Sequence, residues 1–186
     1  MANFQTDILF IQALDNYPWD VEQCIEKLQY VLSNENNHAG AHYLLGRIYH
    51  EQMCDYKRAR EYYNEALSID HEYTPTYYYY ANLLLNTGNY KEAEKVIAVG
   101  LQLPDIDVAR LLFQKGMLLE KREELKEATK VFKEAKAVAL NNDFRSYMDS
   151  QIDRIKDKRK VIKKVKDKEK QKELMPLSDG MHSMLY

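Results

Sequence analysis

The chain has few residues that interrupt helices, with 4 prolines and 6 glycines in 186 residues. Proline and glycine are the residues that most often break a helix, so their scarcity favours an all-helical fold. Long hydrophobic runs are missing as well, and none approaches the roughly 20 apolar residues that a membrane helix requires. No insertion into a membrane is therefore expected.

Cysteine is scarce too, with only Cys24 and Cys54 in the chain. Neither has the spacing of a metal site, and both are expected to be reduced and mostly buried. The first ten residues carry no basic leader and already include Asp7, so no signal peptide is predicted. These features together predict a cytoplasmic location.

Motifs for catalysis or cofactor binding are absent from the sequence. It contains no G-x-S-x-G, no glycine-rich phosphate-binding loop and no H-E-x-x-H. His38 and His42 are four residues apart, as are His50 and Cys54, but no carboxylate pair completes a zinc site. The sequence therefore predicts a protein that is not an enzyme and that uses no metal or cofactor.

Charge is distributed unevenly along the chain. Residues 154–173 contain 11 Lys and Arg against 4 Asp and Glu, a net charge of +7, although the whole chain carries −2. The remainder must then carry −9. The chain is therefore an acidic body with a basic extension.

What the chain does contain is a pattern that recurs every 34 or 35 residues. Ala59, Ala93 and Ala128 mark equivalent positions in three segments that align without a gap. Those segments read DYKRAREYYNEAL, NYKEAEKVIAVGL and ELKEATKVFKEAK. A fixed period of this length indicates a repeat protein in which each unit is one supersecondary element.

Residues 76–101 form the clearest unit, a helix, a tight turn and a second helix. Helical spacing gives each half one apolar face. Gly88 is expected to take the positive φ that ends the first helix, and Asn89 to cap the second. In the preceding unit one extra residue falls in the turn at Met53-Cys54, a surface position where insertions are tolerated.

This pattern resembles the tetratricopeptide repeat family, which has a period of 34 residues. The resemblance covers about residues 39–140. It implies an all-α fold in which antiparallel helix pairs stack into a right-handed superhelix. The family signature of Leu-Gly, then Tyr, then Ala-x-x-x-aromatic-x-x-Ala is matched best by Leu45, Gly46, Tyr49, Ala59, Tyr63 and Ala66.

The resemblance, together with helical spacing at both ends of the chain, predicts a domain organisation. A degenerate helix pair precedes three repeats, and a long capping helix with a basic distal half follows them. The chain is expected to end in a flexible tail. The predicted bounds are 1–141 for the array, with repeats at about 39–72, 74–105 and 109–141, then 142–174 for the capping helix and 175–186 for the tail.

The degenerate pair and the cap are predicted from helical spacing alone. A helix near residues 7–16 would turn its aliphatic residues inward, and Asp20 is expected to cap the helix after it. The capping helix would cover the last pair with an apolar stripe. The inward residues of the first helix are Ile8, Ile11 and Leu14, and those of the capping helix are Phe144, Tyr147, Met148, Ile152 and Ile155.

In this family the first helices of successive pairs line a concave face that holds extended peptides or partner helices. The resemblance therefore implies a non-catalytic scaffold or adaptor that binds another protein. Tyr77 and Tyr80 are expected to face the core. The predicted groove residues are Tyr43, Arg47, Tyr78, Tyr79, Asn82, Arg110, Phe113, Gln114 and Met117, with Leu44 beside them.

Four other interpretations stay open at the level of sequence. The tyrosines could simply coat a helix surface, or pack on the chain's own terminal segment. Co-chaperones of the family bind acidic tails through a carboxylate clamp, and only Arg110 is of the right type at the corresponding positions. Chaperones of type III translocators also resemble three such repeats followed by a helix.

The basic segment has three alternative roles. It could bind nucleic acid through its phosphates, although no aromatic residue is interleaved for base stacking. A membrane-surface helix would need a wider apolar face than Val161, Ile162 and Val165 provide. It could also be a solvated extension, or dock on an acidic partner. The candidate polyanion contacts are Arg154, Lys158, Arg159, Lys163, Lys164 and Lys166.

A last hypothesis concerns self-association through the end of the chain. Residues 181–186 are more apolar than a solvated terminus requires. They are therefore a candidate for occupying the groove of their own or of a neighbouring molecule.

Overall fold

The computed structural model describes residues 4–174, and within that range all regular structure is helical. Nine α-helices follow one another there, and a π-helical turn, Ile48–Gln52, continues the third of them. The helices are α1 Phe4–Asn16, α2 Val21–Asn34, α3 Ala39–Arg47, α4 Tyr56–Ile69, α5 Pro75–Asn86, α6 Tyr90–Gly100, α7 Val108–Lys121, α8 Leu125–Val138 and α9 Asn142–Leu174.

The helices pack as successive pairs. Helix α1 lies against α2, α3 against α4, α5 against α6 and α7 against α8, and α9 covers α8. Short connections of this kind make neighbouring helices antiparallel. Helix α5 also contacts both α3 and α7, so these three inner helices line one side of the array. Helices α1 and α9 stand at its two ends.

The turn of each repeat places one residue in the left-handed region of backbone space. The φ angle is 53° at Cys54, 76° at Gly88 and 63° at Glu123. Glycine adopts this conformation at little cost, whereas a side chain with a Cβ is strained there. The sequence predicted the positive φ at Gly88, and the structure confirms it.

Backbone hydrogen bonds show where the extra residue of the first repeat goes. In the second turn the amide of Asn89 donates to the carbonyl of Leu84, five residues back, and the third turn repeats this bond. In the first turn the amide of Asp55 donates to Tyr49, six residues back. The additional residue is therefore absorbed by the π-helical turn, Ile48–Gln52, just before the Met53-Cys54 turn.

A substitution at Gly88 isolates the cost of the left-handed turn, because a Cβ added there meets no heavy atom within 4 Å. We expect Gly88→Ala to lower the free energy of unfolding by about 1 kcal/mol. The opposite change at the equivalent position, Glu123→Gly, should raise it. Urea denaturation followed by circular dichroism measures both. An unchanged stability in Gly88→Ala would contradict a turn that needs this conformation.

Two glycines on the inner helices allow aromatic rings of the outer helices to touch the backbone. A Cβ on Gly46 would lie 2.6 Å from the ring of Tyr63, and a Cβ on Gly116 would lie 2.5 Å from the ring of Phe132. Both rings are completely buried. The glycine of the repeat signature is thus explained by one close contact within a helix pair.

Helix α1 buries a different face from the predicted one. Its buried residues are Thr6 and Ala13. Close packing on α2 selects small residues, and the Cys24 thiol donates to the carbonyl of Ala13 at 3.1 Å. The inward prediction for the larger aliphatic residues is wrong, since Ile8 is 39% exposed, Ile11 55% and Leu14 37%.

Of three other local predictions, the first is confirmed, the second is half right and the third is wrong in its detail. The Asp20 carboxylate caps α2, accepting a 3.0 Å bond from a backbone amide of its first turn. Cys24 is buried, but Cys54 is exposed, because it lies in the left-handed turn between two helices. Asn89 occupies the N-cap of α6, yet its side chain donates to the Thr87 hydroxyl and does not cap that helix.

The first half of α9 covers the last helix pair. Met148, Ile152 and Ile155 are buried there in a core cluster that includes Phe132. From residue 156 onward the described side chains of α9 are exposed, apart from the partly buried Ile162. The helix therefore projects beyond the array that it caps.

An ion pair between α7 and α9 also holds α9 on the last helix pair. Glu120, near the end of α7, is almost completely buried. Its two carboxylate oxygens each accept a 2.6 Å hydrogen bond from the Arg154 guanidinium of α9, and Lys158 lies 3.4 Å away. Hydrogen bonding from Arg154 is the main reason why the pKa of Glu120 lies below its ordinary value.

This ion pair predicts a pH dependence of stability. The pKa of Glu120 is lower in the folded state than in the unfolded state. Its contribution to the free energy of unfolding is therefore complete above the unfolded-state pKa of about 4.3, and it is lost as the pH falls through the folded-state pKa. We expect Glu120→Gln to be about 1–2 kcal/mol less stable than the wild type at pH 7. The difference should shrink at pH 3. Urea midpoints at both pH values test this, with the exposed Glu61→Gln as the control; an equal difference at both would contradict it.

Candidate functional site

An open groove of about 890 Å³ follows the inner side of the array. Helices α5 and α7 supply most of its lining, and the start of α9 closes one side. Its lining combines aromatic rings with amide and cationic groups. From α5 it includes Tyr78, Tyr79, Asn82 and Asn86, from α7 Arg110, Phe113, Gln114 and Met117, and from α9 Phe144 and Tyr147.

The four consecutive tyrosines are divided between core and groove. Tyr77 and Tyr80 are buried, as predicted. The Tyr80 hydroxyl lies 2.7 Å from both Asn64 Oδ1 and Glu92 Oε1, and burial together with Glu92 raises the pKa of Tyr80 to about 12. Tyr78 and Tyr79 are partly exposed and line the groove.

Seven of the nine predicted groove residues lie together in this groove, all of them on α5 and α7. Tyr43 is not among them. It is buried, with its ring centroid 5.5 Å from that of Tyr73 and 5.8 Å from that of Tyr79. Leu44 is buried as well. The prediction that these two side chains face a partner is therefore wrong: the rings of Tyr73 and Tyr79 cover Tyr43, and Leu44 belongs to the core.

Arg47 is engaged within the chain and does not line this groove. Its guanidinium lies 4.5 Å from the ring centroid of Tyr17 and 4.0 Å from that of Tyr79. It also donates a 3.0 Å hydrogen bond to Glu51, whose carboxylate accepts a second bond from the Tyr17 hydroxyl. The turn after α1 brings Tyr17 over the first repeat, so Arg47 of α3 links that turn to α5.

The floor of the groove contains an unused hydrogen-bond donor. Gln114 is only 1% exposed, and its Nε2 forms no hydrogen bond of normal geometry among the described residues, although the Tyr78 hydroxyl is a polar neighbour. One helical turn earlier, the Arg110 guanidinium lies 5.7 Å from the ring centroid of Tyr78 and contacts Asp107 at 3.3 Å. A buried amide donor beside a half-exposed cation fits a ligand oxygen, from a carbonyl or a carboxylate.

The side of the groove formed by Phe113 of α7 and the start of α9 is apolar and aromatic. The Phe113 ring lies 5.6 Å from the ring of Tyr147 and 6.3 Å from that of Phe144. Across from it, the Asn86 side chain donates a 2.8 Å bond to Asn82. The groove thus offers apolar contact area on one side and amide groups on the other.

Nine lining residues were not among the predicted groove residues, and three of them are instructive: Asn86, Phe144 and Tyr147. Asn86 follows Asn82 by four residues, so helical spacing alone was a sufficient signal for it. Phe144 and Tyr147 were assigned only to the capping stripe. Their part in the groove depends on where α9 packs, which no local pattern shows.

The six candidate polyanion contacts divide into two groups. Arg154 and Lys158 are paired with Glu120. The other four are exposed to solvent on the projecting part of α9: Arg159, Lys163, Lys164 and Lys166.

Within residues 4–174 no group of three or more His, Cys, Asp or Glu side chains is placed to hold a metal ion. In the same range no helix is both long enough and apolar enough to cross a membrane. The predicted tail, residues 175–186, lies outside the described residues, and so does the hypothesis that residues 181–186 occupy a groove.

Comparison with known proteins finds a family similarity in the middle of the chain. The tetratricopeptide repeat family model matches residues 54–114. No curated protein matches the sequence at a significant level.

Solved structures share the fold over most of the chain. PilF of Pseudomonas aeruginosa is 19% identical, with a TM-score of 0.73 over 85% of this chain and 71% of that one. MamA from residue 41, of Desulfovibrio magneticus RS-1, is 17% identical, with a TM-score of 0.64 over 92% and 98%. Yeast Tom70 is 13% identical, with a TM-score of 0.71 over 84% of this chain but 34% of its own.

At such identities the likeness shows the fold. The predicted class, an all-α right-handed superhelix of antiparallel helix pairs with a long C-terminal capping helix, is confirmed. Residues 54–114 are thus similar in sequence to tetratricopeptide repeats, and the chain shares its architecture with solved structures over most of its length, in agreement with the resemblance in its sequence.

Proposed function

We propose that this protein is a non-catalytic scaffold that binds an extended segment of a partner protein in the groove between α5, α7 and α9. The observation that carries the proposal is the buried Gln114 Nε2, which lacks a hydrogen bond of normal geometry and lies beside Arg110 in the groove floor. An unsatisfied buried donor is costly, and a ligand oxygen removes that cost. Aromatic side chains around it bury large areas with little loss of rotamer freedom.

The chemistry of the groove describes the segment that it would hold. A main-chain carbonyl or a carboxylate would accept hydrogen bonds from Gln114 and Arg110. An apolar side chain one or two residues away would lie against Phe113, Phe144 and Tyr147. Residues 1–141 would then serve as the binding array, and residues 142–174 as the cap that completes one wall. The polyanion, co-chaperone and secretion-chaperone alternatives, and the cytoplasmic location, stay predictions.

Peptide selection on the full chain tests this proposal. Random 12-residue peptides displayed on phage are selected against the protein, and the affinities of the enriched peptides are measured by calorimetry. We expect Arg110→Ala and Gln114→Leu each to weaken binding about tenfold, because a hydrogen bond to a charged group contributes about 1.5–3 kcal/mol. Tyr30→Ala, an exposed tyrosine on α2 away from the groove, should bind like the wild type.

Cys54 offers an independent readout of the same event. It is exposed and lines the groove, whereas Cys24 is buried and burial raises the pKa of its thiol. A bound peptide should slow alkylation of Cys54. Peptides that bind equally to Arg110→Ala and wild type, and that leave the alkylation rate unchanged, would refute the groove proposal.

A further inference from the structure

Helix α1 exposes an apolar stripe at one end of the array. Phe4, Ile8 and Ile11 follow one another at helical spacing, and all three are exposed. In the turn after the helix, Trp19 is 89% exposed. Contiguous large apolar side chains on a surface are typical of an interaction site.

Two acidic residues of α1 lie beside this stripe. Asp15 continues it by one helical turn, and Asp7 lies at its edge with half of its side chain exposed. Residues 1–37 contain six Asp and Glu and a single Lys, a net charge of −5. The first helix pair is therefore acidic, and on α1 the apolar stripe lies beside Asp7 and Asp15.

The projecting half of α9 has the opposite charge and a matching stripe. Val161 and Val165 are 60% and 48% exposed and lie on one helix face with the partly buried Ile162. Lys164 and Lys168, both exposed, flank that face. Residues 154–173 carry a net charge of +7.

These two surfaces stand at opposite ends of one molecule. Helix α1 packs on α2 and α3, and α9 packs on α8, so the intervening helix pairs separate them. We propose that the projecting half of α9 in one copy docks on the acidic, apolar face of α1 in a second copy. Each stripe then leaves water, and the lysines of α9 lie near the carboxylates of α1.

The opposite charges of the α1 face and of the projecting half of α9 favour each surface as the partner of the other. A polyanion would use the lysines of α9 but would leave its valines exposed, whereas the α1 face satisfies both. Because the contact joins two different surfaces, it is heterologous and produces rings or open chains of copies. The proposal does not depend on the inner groove, since neither stripe lines it.

Analytical ultracentrifugation of the full chain tests the proposal. We expect association that grows with protein concentration in 20 mM salt and weakens at least about tenfold in 0.5 M salt, where exposed charges are screened. The double reversals Asp7→Lys with Asp15→Lys, and Lys164→Glu with Lys168→Glu, should each abolish it. An equal mixture of the two variants should associate again, because the altered faces are then complementary.

A matched control reverses two acidic residues elsewhere. Glu61→Lys with Glu65→Lys alters the exposed side of α4 by the same charge and should leave association intact. Circular dichroism checks that each variant is folded. The proposal is overturned if the wild type stays monomeric at low salt, if it binds heparin in place of associating, or if the mixed variants fail to associate.

Discussion

Replacing Phe132 by Ala is expected to lower the free energy of unfolding by about 3–5 kcal/mol, the largest stability effect that we predict. The ring is completely buried and rests against the backbone of Gly116. It belongs to the cluster that also contains Met148 and Ile155, so it joins α7, α8 and α9. An Ala at this position leaves a cavity between three helices. The helices cannot move close enough together to fill it, because their backbones are already packed through other residues.

A matched substitution on the exposed part of α9 separates this effect from a change in helix propensity. Val161→Ala removes an apolar side chain that is largely in water and should change stability by less than about 0.5 kcal/mol. Thermal and urea denaturation of both variants give the comparison. A cost below about 1 kcal/mol for Phe132→Ala would show that the cap is not held by this cluster.

Replacing Arg47 by Met is expected to cost about 2–4 kcal/mol, the second large effect. Met retains most of the volume but loses the guanidinium that lies between the rings of Tyr17 and Tyr79 and the bond to Glu51. The Glu51 carboxylate would then lose its cationic partner. Urea denaturation at neutral pH measures the loss.

Arg47→Lys is the informative companion to that variant. Lysine keeps the charge near Glu51 but lacks the planar group that stacks on two rings, so it should recover only part of the lost stability. Full stability in Arg47→Met would contradict a structural role and would return Arg47 to the set of candidate partner contacts.

The split among the four tyrosines was predictable because it depends on local periodicity. Tyr77 and Tyr80 are three residues apart on one helix, and the phase of the repeats identifies that face as the core. The role of Arg47 was not predictable in this way. Its contacts come from Tyr17 and Tyr79, each about thirty residues away in sequence, and no spacing rule brings these three together.

Helix α1 shows a second limit of pattern reasoning. Its aliphatic residues follow helical spacing well, and hydrophobicity alone favoured them as the buried face. The close contact between Cys24 and Ala13 instead turns the small residues inward. An apolar stripe predicts that something covers it, but the partner can be another molecule and not the rest of the chain.

Association through the two end surfaces would not cover the groove. The groove lies on the inner side of α5 and α7, whereas the stripes lie on α1 and on the projecting half of α9. A chain of copies joined end to end would therefore still present one open groove per copy. Variants at Asp15 and Lys164 should associate poorly yet bind groove peptides normally.

Amide chemical-shift mapping of the full chain with a selected peptide tests the groove most directly. We predict that the shifted amides cluster at Tyr78, Asn82, Arg110 and Gln114, with further shifts at Phe144. The outer helices α4, α6 and α8 should change little. Shifts confined to those outer helices, or spread evenly over the chain, would contradict binding in the groove.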